Sequence, residues 1–149
     1  MIALIQRVTT ARVLIDGRTC AEIGTGLLAL IGVERDDDAA RSARLLERLL
    51  EFRVFADPAG RMNLSLRDVK AGLLLVPQFT LAADTRSGNR PGFSTAAAPG
   101  AAQTLFEQFL ASARAAYPSV ASGEFGAHMQ VSLTNDGPVT FWLHVPPKA

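Results

Sequence analysis

The chain has 149 residues, 48% of them hydrophobic and 19% charged, with a formal net charge of +1. That is the length of one ordinary domain, with enough apolar material for a core without staples, and it excludes a disordered chain. No polybasic run is present, which excludes a dedicated sequence-blind nucleic-acid binder but not a protein that grips only one end of an RNA.

The first third reads as strands: residues 2–15, a turn at Asp16-Gly17, residues 19–23, a turn at Gly24-Thr25-Gly26, then residues 27–33. The glycines fit a G-x-G-x-x-A pattern through Ala29, but they precede the β-like run Leu27-Leu28-Ala29-Leu30-Ile31 instead of opening a helix, so no dinucleotide site is expected. Residues 36–38 are all Asp and supply a cap and negative charge for a helix. Ala39, Ala43, Leu46 and Leu50 mark its buried face, widened by Leu45, Leu49 and Phe52. Asp57-Pro58-Ala59-Gly60 is a turn and residues 72–76 a short, fully apolar strand. Residues 84–91 are polar and contain glycine, as a surface loop does. A second helix is predicted from near Pro99 to Tyr117-Pro118, with Leu105, Phe106, Phe109 and Leu110 inward.

The chain closes on two alternating runs, Val131 and Leu133, then Val139, Phe141, Leu143 and Val145. Asn135-Asp136-Gly137-Pro138 between them has turn chemistry, so a hairpin is expected, with Pro138 removing a ladder N–H where the second strand begins. Together these elements predict a single domain over 1–149 of the α+β class: a mostly antiparallel β-sheet or barrel with two longer helices packed against it.

Cys20 is the sole cysteine, so no disulfide can form within the chain, and its strand-like neighbours suggest a buried, inert thiol. The first residues are apolar but interrupted by Gln6 and Arg7 and lack the features of a signal peptide, and no run is long enough to span a bilayer. A reduced, cytoplasmic location without membrane partners is the expectation. The 36–38 acidic run is explained by its helix-start position, and no metal or cofactor is expected. Of the two histidines, His144 reads as structural, and neither it nor His128 is placed as a general base.

Two stretches carry more than structure. In Val76-Pro77-Gln78-Phe79-Thr80-Leu81 an apolar strand runs into a proline and then into polar Gln78 and Thr80, a strand end able to present N–H groups and a hydroxyl to a cleft. The second is Asn135-Asp136-Gly137-Pro138-Val139-Thr140. Taken with MIALIQRV, residues 61–66, Ala83-Asp84-Thr85-Arg86 and Gly123-Glu124-Phe125-Gly126, they make the chain resemble the D-aminoacyl-tRNA deacylases essentially end to end.

That resemblance implies hydrolysis of the ester joining a D-amino acid, or glycine, to the 3′ terminal adenosine of tRNA. It implies a homodimer in which a cis Gly137-Pro138 peptide points into the partner's pocket and rejects L-amino acids by shape. It implies catalytic roles for Thr80, Gln78 and Phe79, through N–H groups and the Thr80 hydroxyl near the scissile carbonyl, with Thr80 either a positioning group or a nucleophile. Substrate-binding roles are implied for Pro77, Met129 and Asn135. The chain departs from the family at Pro77, where serine is usual, and at His128, where an acid is common. Pro77 matches a related animal class that tolerates some L-aminoacyl-tRNA, whereas Phe79 and Val139-Thr140 match the D-specific class. The alternatives are therefore a deacylase of relaxed specificity and a non-catalytic nucleic-acid-binding module of the same fold.

Overall fold

The computed structural model describes residues 1–147. In chain order its elements are β1 (Ile2–Ile15), β2 (Arg18–Ile23), β3 (Gly26–Gly32), α1 (Ala39–Glu51), β4 (Phe55–Ala56), β5 (Met62–Leu64), α2 (Leu66–Val69), β6 (Gly72–Pro77), a 3-10 turn (Phe79–Ala82), α3 (Pro99–Ala116), β7 (Val120–Ser122) and β8 (Gln130–His144). Strand β1 is paired on both edges: β8 runs antiparallel along one, while β3 and β2 share the other, also antiparallel. Strands β6 and β7 extend the sheet beyond β3 by parallel pairing. The sheet is thus mixed but mostly antiparallel, and its ends approach each other, with the Cys20 Sγ of β2 3.8 Å from the Ser122 carbonyl oxygen of β7.

Alternation along the strands sorts side chains onto two faces. Leu27, Ala29, Ile31, Leu73 and Leu75 meet α1 through Leu45, Leu49 and Leu50, and α3 through Phe106 and Phe109. Leu28, Leu74 and Val76 turn the other way, to Val8, Val13 and Ile23, with Met129, Val131 and Leu133 of the β8 arm packed alongside. Burial on both faces explains why β3 and β6 read as unbroken apolar runs. The N-terminus of α1 is capped as expected, an Asp38 carboxylate oxygen accepting from the Arg41 N–H at 2.9 Å. Gly26 and Gly72 are paired so closely that a Cβ on Gly26 would lie 1.9 Å from the Gly72 carbonyl oxygen, so this glycine serves strand approach. Helix α2 was not expected; a capping box between Ser65 and Asp68 holds it, a signal readable in Ser65-Leu66-Arg67-Asp68.

Two expectations are overturned. Residues 130–144 form one strand, not a hairpin. Val131 and Leu133 pair with Val13 and Ala11, and Phe141 and Leu143 pair with Ile5 and Ala3, so both runs lie on the same edge of β1 and the chain never reverses. Asn135 pairs with Val8 and Thr140 with Gln6, so residues 136–139 of β8 stand opposite Arg7 alone and bulge out of the ladder. Cys20 is exposed, because β2 turns only Ile23 fully into the core.

Phe109→Ala, at a fully buried ring between sheet and helix, will cost about 3–5 kcal/mol in chemical denaturation. Cys20→Ser will change the same measurement by no more than about 0.5 kcal/mol, as an exposed site requires.

Candidate active site

The β6 ladder ends at Pro77, opposite Ile31 of β3. Proline brings no N–H, and the next residue supplies the missing bond: the Gln78 N–H donates to the Ile31 carbonyl at 2.7 Å. The expectation that Gln78 offers its main-chain N–H to a ligand is thereby corrected, since that donor is spent within the sheet. The chain then leaves the strand as a 3-10 turn, with Leu81 N–H donating to Gln78 O and Ala83 N–H to Thr80 O, both at 3.2 Å. The N–H groups of Phe79 and Thr80 open this turn and have no acceptor among the described residues. The Gln78 side-chain amide donates to the Thr80 hydroxyl oxygen, which leaves the hydroxyl proton free to point outward. Gly32 lets the turn lie on β3: a Cβ there would stand 2.9 Å from Leu81 Cβ and 3.3 Å from the Gln78 carbonyl oxygen.

Beside the turn is a cleft of about 270 Å³. Pro77, Gln78 and Phe79 form one wall, and Phe125, His128 and Met129, from the segment entering β8, form the other. Val76 and Val131 close it from the apolar interior, and His128 is the one ionisable side chain that lines it. Gly123 brings the walls together, since a Cβ on it would meet Met129 Sδ at 2.8 Å. Thr80 is exposed next to Phe79 and is not part of the cleft lining.

The second motif forms the bulge of β8, and its residues do not line the cleft of their own chain. The Gly137–Pro138 peptide is cis, as the resemblance implies, and both residues are exposed. Gly137 has φ +132°, and a Cβ there would lie 2.6 Å from Val139 Cγ2 and 3.0 Å from Val139 N. Asn135 ties the base of the bulge: its Oδ1 accepts from the Val139 N–H at 2.9 Å and its Nδ2 donates to Thr140 Oγ1 at 2.7 Å. Arg7, the residue facing the bulge, donates from Nε to the Asp136 carbonyl at 3.2 Å and from Nη1 to the Val54 carbonyl at 2.6 Å. Sequence reasoning missed Arg7 and Gly32, whose roles are set by contacts distant in sequence.

His144 and Asp84 do not line the cleft. His144 Nε2 is 2.7 Å from Glu34 Oε2, which also accepts from the Met1 ammonium at 2.8 Å. Burial alone would raise the Glu34 carboxyl, but these two hydrogen bonds bring it below its ordinary range. Arg86 holds Asp84 down at about 2 through side-chain hydrogen bonds, so this carboxylate is ionised at neutral pH and cannot carry a proton. Among the described residues, no three His, Cys, Asp or Glu come together as a metal-ligating group. No helix of the described residues is long and apolar enough to cross a membrane.

Comparison with known proteins gives this arrangement a family. A family described as D-Tyr-tRNA(Tyr) deacylase matches residues 4–144. A D-aminoacyl-tRNA deacylase of Cupriavidus metallidurans is 62% identical, over 100% of this chain and 99% of that one. The enzyme of the same name from Thioalkalivibrio sulfidiphilus is also 62% identical, over 99% of each. Among solved structures, a c-Myc DNA unwinding element binding protein superposes with a TM-score of 0.94 at 36% identity, covering 98% of this chain and 99% of that one. A probable eukaryotic D-amino acid tRNA deacylase superposes with a TM-score of 0.80 at 18% identity, covering 95% and 97%, which is a likeness of fold. With the match spanning almost the whole chain and both motifs set on one scaffold, the chain belongs to the D-aminoacyl-tRNA deacylase family.

Proposed function

We propose that this D-aminoacyl-tRNA deacylase cleaves the ester between a D-amino acid, or glycine, and the 3′ terminal adenosine of tRNA, and that a second copy of the chain supplies the filter that rejects L-amino acids. The observation that carries this reading is the joined Gln78–Thr80 pair, with two unpartnered N–H groups beside it, at the edge of an apolar cleft.

In this reading the ester carbonyl rests beside Phe79 and Thr80. Water adds to the carbonyl carbon, and the oxygen that gains negative charge is met by the Phe79 and Thr80 N–H groups and by the Thr80 hydroxyl proton. Such donors are held in place before the reaction and stabilise the charge as it develops. Gln78 acts by fixing the Thr80 hydroxyl. As the tetrahedral species collapses and expels the ribose oxygen, the proton that the water gives up passes through the vicinal ribose hydroxyl to that oxygen, so no side chain of the cleft need act as an acid or a base. Thr80 is a positioning group here and not a nucleophile, because among the described residues its hydroxyl has the Gln78 amide as partner and no base. Pro77 and Met129 shape the cleft, and Asn135 serves the substrate indirectly, by holding the bulge.

The filter is main chain. Gly137 and Pro138 stand away from their own cleft, which supports their use in a partner's, within a homodimer. A wall of backbone atoms excludes an L side chain whatever its chemistry, and admits hydrogen in its place. Glycyl-tRNA is therefore a substrate. Pro77 lies at the end of β6, away from the bulge of its own chain, while Phe79 and Val139-Thr140 match the D-specific class, so the D-specific reading is favoured over the relaxed one. The expected compartment is the cytoplasm.

Three outcomes are expected. Thr80→Ala will lower kcat/KM for a D-aminoacyl-tRNA by at least about 100-fold, while His128→Ala and Cys20→Ala stay within about threefold of the parent. Full activity in Thr80→Ala with loss in His128→Ala would reverse the assignment, and a parent that hydrolyses no D-aminoacyl-tRNA would favour the non-catalytic binding module. Gly137→Ala will reduce the D-to-L rate ratio while leaving the circular dichroism unchanged, because the new Cβ displaces Val139 within the bulge and presses only on the far end of the Arg7 side chain outside it. Sedimentation will find a dimer, and activity per chain will fall as dilution produces monomer; a fully active monomer would sink the shared-filter reading.

A further inference from the structure

The 3-10 turn that carries Thr80 is held at both ends by one stretch of chain, β3 and the residues just after it. At the start of the turn, the Gln78 N–H bonds the Ile31 carbonyl and Leu81 packs over Gly32. At its end the hold comes from Thr95, which neither lines the cleft nor belongs to either motif. The Thr95 hydroxyl donates to the Ala82 carbonyl at 2.6 Å. The main chain around Thr95 is itself fixed to the segment after β3. The Arg35 N–H donates to the Thr95 carbonyl at 2.9 Å, the Ala97 N–H donates to the Val33 carbonyl at 3.1 Å, and Glu34 and Ala96 form a bridge.

The carbonyl that Thr95 holds is one half of a peptide unit. The other half, the Ala83 N–H, donates to the Thr80 carbonyl at 3.2 Å. A peptide is planar, so fixing its oxygen fixes the direction of its N–H. A relay therefore runs from the Thr95 hydroxyl through the Ala82–Ala83 peptide to the main chain of Thr80. The lengths show which link is firm. The two bonds that close the turn, Leu81 to Gln78 and Ala83 to Thr80, are both 3.2 Å, the long end of the ordinary range, whereas 2.6 Å is a full O–H···O bond. A 3-10 turn makes poor hydrogen bonds of its own, and Thr80 is exposed, so neither local bonding nor burial fixes it. Ala82 is 2% exposed, so water has little access to replace the Thr95 hydroxyl, and no main-chain N–H among the described residues serves that oxygen.

We propose that Thr95 is a positioning residue for the ester hydrolysis: through this relay it sets the place of the Thr80 hydroxyl without touching the substrate. The proposal rests on the deacylase reading of the cleft. A donor stabilises a developing oxyanion only if it already stands where the charge will appear, and a misplacement of about 1 Å can cost about 100-fold in rate. Two groups share that task here. Gln78 fixes the hydroxyl oxygen of Thr80 directly, and Thr95 fixes the main chain from which the hydroxyl projects. Losing the Thr95 bond leaves the end of the turn with its 3.2 Å bonds alone, and the hydroxyl then samples positions in which it does not face the ester carbonyl.

The test follows hydrolysis of one D-tyrosyl-tRNA by the full chain. Thr95→Val keeps the shape and removes the hydroxyl, and it should lower kcat about tenfold with KM within about twofold of the parent. Thr95→Ser restores the donor and should keep kcat within about threefold of the parent. In a Thr80→Ala background, Thr95→Val should lower kcat further by about twofold or less, because the hydroxyl it positions is gone. Thr95→Ala removes the donor without setting a second methyl against the carbonyl; it replaces Thr95→Val should that variant not fold, and its kcat should fall in the same direction. Parent-like kcat in the variants that lack the hydroxyl would overturn the proposal even if their urea midpoints fall, since a role in stability alone leaves the folded enzyme's kcat intact. So would a serine variant as slow as the valine one, or an equal fold-loss in the parent and Thr80→Ala backgrounds. A parent that does not cleave D-tyrosyl-tRNA would overturn the deacylase reading itself, and the proposal with it.

Discussion

The pairing of β8 with β1 sets both a boundary of the cleft and the protruding bulge. β1 holds β8 along nearly its whole length, and the two are not matched residue for residue: between the Gln6–Thr140 and Val8–Asn135 pairs, β1 spends one residue and β8 spends four. The three in excess cannot enter the ladder, and neither flank can slip, because a shift by one would turn Val131, Leu133 and Leu143 to the wrong face. The bulge is therefore forced outward at a fixed place. The same pairing sets Val131 of β8 at the interior end of the cleft and draws the segment just before it, with Met129, to the cleft wall. One strand thus supplies a cleft wall at its beginning and a protruding loop at its middle.

What stabilises the bulge follows from that mismatch. Removing four residues from a ladder leaves donors and acceptors to be satisfied elsewhere, and an unpaired buried amide is costly. Asn135 answers with its side-chain carbonyl to the Val139 N–H, and Arg7 answers the Asp136 carbonyl from across the gap. These bonds use side chains of residues flanking and facing the bulge, so its exposed tip, Gly137 and Pro138, is left without such duties. A similar economy of space operates at the other motif. Gly32 and Gly123 have no side chain where Leu81 and Met129 need room, so the 3-10 turn and the cleft wall close on the sheet with side-chain contacts rather than gaps.

Much of the fold was legible from local pattern. β1, β2, β3, α1 and α3 emerged from period-2 and period-3.6 alternation, and Asp38 was a visible cap. Gln78 and Thr80 were legible as polar residues directly after an apolar strand. The bulge was misread because Asn-Asp-Gly-Pro chemistry is the same for a hairpin turn and for a strand that loops out and resumes; only the identity of the pairing partner separates them, and that is a property of β1. Cys20 was misread because a strand's residue types do not say that the strand lies at an edge. Arg7 and Gly32 had no local signal at all: one acts on a carbonyl 129 residues away, the other through a side chain it does not have.

The separation of the motifs also bears on how chirality can be read. Discrimination between mirror-related substrates needs contact at the α-carbon from a direction the ester-binding groups do not occupy, since those groups see the same carbonyl in either hand. Groups on the turn after β6 are confined to one side of the cleft by the Gln78–Ile31 bond and by the close fit of Leu81 over Gly32. A second direction must come from a separate element, and a side chain there would bring rotamers and a chemistry of its own. Backbone at a glycine has neither. With φ at +132° and Val139 pressed against the position a Cβ would take, Gly137 offers a surface whose shape is set by the chain path alone. Under the proposed function, a discriminator of that kind is rigid because the strand that carries it is rigid, and selectivity then depends on the register of β8 on β1.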